Sequence, residues 1–76
     1  MIEWPDVFGQ VVRELREDLL MSQEPLAYRA EINRSYLGEV ERGAAVPSLT
    51  TMVKLASALN VRLSSLLFLC ESQLQI

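Results

Sequence analysis

The sequence predicts an all-α fold of five short helices. Three observations carry that reading. Apolar residues recur at three- and four-residue spacing along most of the chain. Capping residues and a glycine punctuate the pattern at helix-like intervals. No stretch alternates long enough to make a strand, and the turn dipeptides of hairpins are absent.

In the first helix Phe8, Val11, Val12, Leu15 and Leu19 share one stripe, and Arg13, Glu14, Arg16, Glu17 and Asp18 fill the rest. It is expected to begin near Asp6, with Pro5 before it. Ser22 reads as the N-cap of the second helix, with Met21 and Leu26 as a hydrophobic staple across the cap. Pro25 then falls at the third helical position, where the backbone N–H has no helical partner in any case. This helix ends at about Ala30, and Glu31-Ile32 lead to Asn33, the cap of the third helix, with Ile32 and Leu37 as its staple. Gly43 suits a left-handed stop. Pro47-Ser48 opens a fourth helix through Met52, Val53, Leu55, Ala56 and Leu59, closed by Asn60, and a fifth runs from about Leu63 to Phe68 or beyond. There is no repeat, low-complexity tract or linker, so residues 1–76 read as one domain.

A chain of 76 residues hides only about 60% of its unfolded surface. Half of its residues are nevertheless apolar, which points to a self-association surface. Seven Lys and Arg against ten Asp and Glu give a net charge of −3. That balance excludes a nonspecific polyanion binder or a basic membrane-surface peptide, and leaves room for a reader with one neutral or positive face. The single Cys70 permits no internal disulfide and fits a reducing compartment, and one Cys without any His argues against zinc. "MIEWPDVFG" lacks the apolar region of a secretory signal, and the longest apolar run, "LLFLC", is far too short to span a bilayer. A cytoplasmic protein is expected, with no membrane, small-molecule ligand or cofactor. Without His, a metal cluster or a nucleophile motif, catalysis is not expected either.

Two capped helices joined by about three residues cross steeply, because so short a connection forbids an antiparallel return. This is the helix-turn-helix arrangement, over about residues 22–43. In it the first helix straddles the phosphate backbone and the second lies in the major groove of DNA. On the second of the pair Leu37 and Val40 point to the core with Ile32, leaving Arg34, Ser35, Gly38 and Glu39 for a ligand. Arg34 offers a fork to guanine, Ser35 can donate or accept, and Glu39 can accept from cytosine or repel phosphates. Gly38 weakens the helix by roughly 1 kcal/mol relative to Ala, and its bare surface would let a DNA strand come close. Any exposed helical face carries such a mixture, so the face alone is weak evidence.

The stretch from Phe8 to Phe68 resembles the phage repressor/Cro-type (XRE) helix-turn-helix domain. The resemblance rests on "RELR" in helix one, "SQEPLA" opening helix two, "ERG" closing helix three and "PSLTTMVKLASALNV" as helix four. Within that family, length and "NRSYLGEVERG" are most similar to restriction–modification controller proteins. The resemblance implies a compact repressor-like domain and a homodimeric transcription regulator on a near-palindromic double-stranded operator. It places Arg34, Ser35 and Glu39 at base-contacting positions, Ser22, Gln23, Tyr36 and Arg42 at backbone-contacting ones, and Arg16 with Glu41 as a partly buried ion pair. The chain departs from the family pattern at four places. Leu20 and Glu31 stand where glycine is usual, Arg62 stands where Ser or Asp commonly caps helix five, which would delay that helix to Ser64, and "GAAVP" replaces a loop that is often basic. Within Ser22–Gly43, Arg29, Arg34 and Arg42 are outnumbered by Glu24, Glu31, Glu39 and Glu41, so few cationic phosphate contacts are expected.

Helices four and five, about residues 48–70, concentrate Leu63, Leu66, Leu67, Phe68 and Leu69. One helical face cannot hold them all, and a two-fold interface is expected to cover the remainder. Cys70 reads as a small hydrophobe near it, and Trp4 as a lid on one end of the core. A second reading stays open at this stage: a protein-interaction module, antitoxin-like or a regulator's partner, with DNA binding secondary. The acidic balance and the bare loop favour it; Arg34, Tyr36, Gln23 and Arg42 in register favour the regulator.

Overall fold

The computed structural model describes residues 3–74, so the extreme ends of the expected 1–76 domain lie outside it. Five helices follow one another: α1 (Trp4–Asp18), α2 (Gln23–Ala30), α3 (Arg34–Glu41), α4 (Leu49–Ala58) and α5 (Leu63–Leu74). No strand occurs among the described residues.

Local chemistry explains the starts. Asn33 Oδ1 accepts from the backbone N–H groups of Ser35 and Tyr36, at 2.7 and 3.4 Å, and Ser48 Oγ accepts from that of Thr51 at 3.1 Å. The expectation for α1 needs correcting. It begins at Trp4, two residues early, because Asp6 accepts from the Glu3 N–H at 3.3 Å and Pro5 sits inside the first turn, where its missing N–H costs nothing. α5 likewise starts at Leu63 rather than at Ser64, with the Leu66 N–H bonding back to the Arg62 carbonyl at 3.0 Å. Ser22 is the N-cap residue of α2, but its hydroxyl makes no capping hydrogen bond.

The ends of α1 to α4 share one device. The residue after the last turn adopts a left-handed conformation, and two backbone bonds close over it. Leu20 (φ 58°), Glu31 (φ 59°), Gly43 (φ 75°) and Asn60 (φ 63°) hold that position. At α3 the Gly43 N–H bonds to the Val40 carbonyl at 3.0 Å and the Ala44 N–H to that of Glu39 at 2.8 Å, a Schellman stop. Leu20 and Glu31, the departures from glycine, therefore keep the turn and carry its strain.

The core is formed by Val7, Phe8, Val11 and Val12 of α1, Leu26, Ala27 and Ala30 of α2, Leu37 and Val40 of α3, Leu55 and Ala56 of α4 with Leu59 just beyond it, and Leu66 and Cys70 of α5. α1 packs on α3 and α5, α2 on α3 and α4, and α4 on α5. Val53 and Leu19, placed on core stripes by spacing, are instead about half exposed, at 49% and 48%. Trp4 covers the core only partly, at 44% exposed. α1 and α3 approach closely at Gly9, where a Cβ would collide with the Val40 carbonyl oxygen. Only glycine lets α1 come this close to α3 and so set the angle of the recognition helix.

Candidate nucleic-acid interface

The position of α3 is locked from below by a charged group in the core. Arg16, 9% exposed, lies on α1, and its Nε and Nη2 donate to Glu41 Oε2 and Oε1 at 2.7 and 3.0 Å. Its Nη1 donates to the Met21 carbonyl at 2.7 Å, tying in the turn that precedes α2. The Glu41 hydrogen bond holds the Arg16 pKa above its ordinary value, against the opposing effect of burial. A forked pair of this kind is directional, and removing Glu41 would strand a buried guanidinium at about 3–5 kcal/mol. The ion pair expected between Arg16 and Glu41 is therefore present, and it joins α1, the α2 entry and α3.

Above this pair lies Gln23, the first residue of α2. Its Nε2 donates to Glu41 Oε1 at 3.0 Å, and its Oε1 accepts from Arg34 Nη1 at 2.9 Å. Ser22, Gln23 and Arg34 share a shallow polar depression with Arg16 and Glu24. Ser35 and Glu39 are exposed on α3, and their side chains take no hydrogen bond among the described residues. Tyr36 is half-buried against the core, and Arg42 is exposed just past the helix.

Two site expectations change. Gly38 is buried, not open to a DNA strand: a Cβ there would meet Arg42 Nη1 at 3.1 Å and the Gln23 amide at 3.9 Å. The glycine makes room for the chain's own polar side chains. Leu66 is fully buried in the protomer, so it leaves the expected dimer face, whereas Phe68 and Leu69 are 66% and 39% exposed and Leu63 and Leu67 are half-buried. Beside them Trp4, Pro5, Phe8, Val46, Pro47, Met52 and Leu67 line an apolar groove of about 260 Å³. Sequence reasoning missed the Gln23 bridge and the Gly9 contact. The interior glycine of α1 was the available signal for the latter. No single described helix is long and apolar enough to cross a membrane.

The comparisons with known proteins agree with this geometry. A family model described as helix-turn-helix matches residues 12–66. The control protein C.BamHI of Bacillus amyloliquefaciens is 40% identical over 62 residues, which are 80% of this chain and 76% of that protein. The restriction–modification controller protein C.AhdI of Aeromonas hydrophila, known as a crystal structure, is 45% identical with a TM-score of 0.79, over 82% of this chain and 94% of that one. The controller protein C.Esp1396I, solved as a tetramer with its natural 35-base-pair operator, is only 18% identical but superimposes over 100% of both chains with a TM-score of 0.90, and so attests the fold. With the helix-turn-helix built by α2 and α3 and two controller proteins at this level of identity, the chain belongs to the helix-turn-helix family of DNA-binding regulators, among the restriction–modification controller proteins.

Proposed function

We propose that this protein is a cytoplasmic, non-enzymatic, sequence-specific transcription regulator that binds a near-palindromic DNA operator as a homodimer. The observation that carries the reading is the α2–α3 pair, fixed to α1 by Arg16 and Glu41, with Arg34 and Ser35 exposed on the first turn of α3. That turn is the part of a recognition helix that meets base edges. Arg34, Ser35 and Glu39 are assigned to base contacts. Ser22, Gln23, Tyr36 and Arg42 are assigned to the phosphate backbone, with the free N–H groups at the start of α2 beside the first two. Leu63, Leu67, Phe68 and Leu69 are assigned to the two-fold interface. The operator complex of C.Esp1396I supports the regulator over a protein-interaction module with DNA binding secondary, as does the name of the control protein C.BamHI.

The test is a titration of the protein against the DNA upstream of its own gene, with Arg34→Ala alongside. Specific binding weakened about tenfold or more by the substitution is expected, since a forked arginine–guanine contact is worth roughly 1–3 kcal/mol. Absence of specific binding at moderate salt would overturn the regulator; specific binding indifferent to the substitution would overturn the assignment of Arg34.

A further inference from the structure

The exposed apolar surface of this chain has two complementary shapes. One is the groove of about 260 Å³ lined by Trp4, Val46, Pro47, Met52 and Leu67, together with the buried Phe8. The other is Phe68, the next residue along α5, which is 66% exposed. The protomer does not fill its own groove, since Trp4 remains 44% and Val46 79% exposed. A pocket of about 150 Å³ already holds a benzene, so the groove has room for one phenyl ring. Successive helical residues point about 100° apart, and Phe68 therefore faces away from the groove that Leu67 lines in the same protomer. No charged residue occurs from Gly43 to Val53 or from Leu63 to Cys70, the segments that supply Val46, Pro47, Met52, Leu67 and Phe68. In a chain with 22% charged residues, that gap gives a charged partner nothing to pair with. It suits a second copy of a chain whose net charge is −3, because like charges stay out of the contact.

We propose that the occupant of the groove is Phe68 of a second copy: in the homodimer each protomer seats its phenyl ring between Trp4, Val46 and Met52 of the other. The inference rests on the homodimer proposed above and specifies its contact. A two-fold axis makes the exchange reciprocal, so one fit is used twice. What Phe68 and Trp4 expose on two protomers comes to roughly 400–500 Å², over a third of the about 1,200 Å² at which specific interfaces begin. Buried aromatic anchors of this kind carry most of the affinity of an interface. Val46 and Pro47 belong to the loop that leaves the Schellman stop of α3, so the incoming ring also braces the exit of the other protomer's reading helix. The apolar "GAAVP" then serves the dimer in place of phosphate contact. The competing geometry, Phe68 packed on the partner's Phe68 across the axis, would leave the groove open.

Trp4 is the only tryptophan of the chain, so its fluorescence reports the groove directly. As wild type is concentrated from monomer to dimer in sedimentation, the emission is expected to move to the blue. Phe68→Glu at the same concentrations is expected to keep the monomer's spectrum. Val46→Lys, at a position too exposed to disturb the fold, is expected to weaken self-association about tenfold or more, because an ammonium then faces the incoming ring. Mixed with Phe68→Glu, it is expected to pair about tenfold more tightly than wild type mixed with Phe68→Glu. One contact of that mixed dimer is native, and the other sets Glu against Lys. Thermal melting checks that each variant is folded. A wild-type dimer with unchanged Trp4 emission leaves the groove to another occupant and overturns the proposal. So does a mixture that gains nothing over the one with wild type, the result required if Phe68 packs on the partner's Phe68. If wild type stays monomeric at every concentration, alone and on DNA, the homodimer itself fails and the inference falls with it.

Discussion

Gly38 shows how a single residue can serve the site at the expense of its helix. The space above it holds Arg42 Nη1, and nothing rigid blocks a methyl group there. Because the end of Arg42 is exposed and flexible, Gly38→Ala is expected to stabilise the fold by up to about 1 kcal/mol through helix propensity. The same methyl displaces Arg42, so DNA affinity should drop a few-fold while the melting temperature rises; melting and a DNA titration on one preparation check both. Cys70 behaves in the opposite way, as a buried group with no place in the site. Burial pushes its thiol up to about 11 from 9.0. The folded protein therefore keeps the proton where the unfolded chain has lost it, and the stability this gives is complete below pH 9 and disappears as pH rises through 11. A loss on the order of 2 kcal/mol across that window is expected, and Cys70→Ser should flatten it in denaturant titrations at several pH values.

At the scale of elements, the turns after α1 and α2 keep a left-handed residue without a glycine to hold it. Leu20 is 94% exposed and touches no core, and Glu31 is also exposed, so neither is retained for packing. Their strain is of order 1–2 kcal/mol each, partly offset by the extra freedom glycine has in the unfolded chain. Glu31→Gly and Leu20→Gly are therefore each expected to add about 0.5–1 kcal/mol, read as a higher denaturation midpoint at unchanged slope. Asn60→Gly should add less, because Asn tolerates the left-handed region better. These turns could be anticipated, since a Schellman stop depends on backbone within a few residues. Other elements could not. The position of α3 depends on Gly9 against Val40 and on Arg16 against Glu41, contacts between residues 31 and 25 positions apart.

The whole molecule measures 32 × 23 × 23 Å. Two such bodies side by side can set their reading helices one DNA turn apart, about 34 Å. The face proposed for that pairing is small and apolar, and Phe68 is its most exposed member. Phe68→Glu is expected to give a monomer in sedimentation with the melting of the protomer retained, and to bind a half-site with no advantage from the second. The net charge of −3 acts at this scale too. Arg34 and Arg42 are the exposed cations of the α3 segment. At about 0.9 counterions per neutralised phosphate the slope of log affinity against log salt should be no steeper than about −4 per dimer. A slope as steep as eight cationic contacts produce would show that the binding surface has been misassigned.

Taken by itself, the sequence determined the caps and stops of α2, α3 and α4, that α2 and α3 make a helix-turn-helix, and that Arg34, Ser35 and Glu39 lie off the core stripe of α3. Those features depend on period and on capping chemistry, both of which are local. The tertiary structure decided that Leu66 belongs to the protomer's own core, that Gly38 lies under Arg42, and that Gln23 joins Glu41 to Arg34. Each of these depends on distances between helices, which hydrophobic periodicity does not encode. Periodicity gives the face a side chain takes, whereas packing decides which neighbour it meets there.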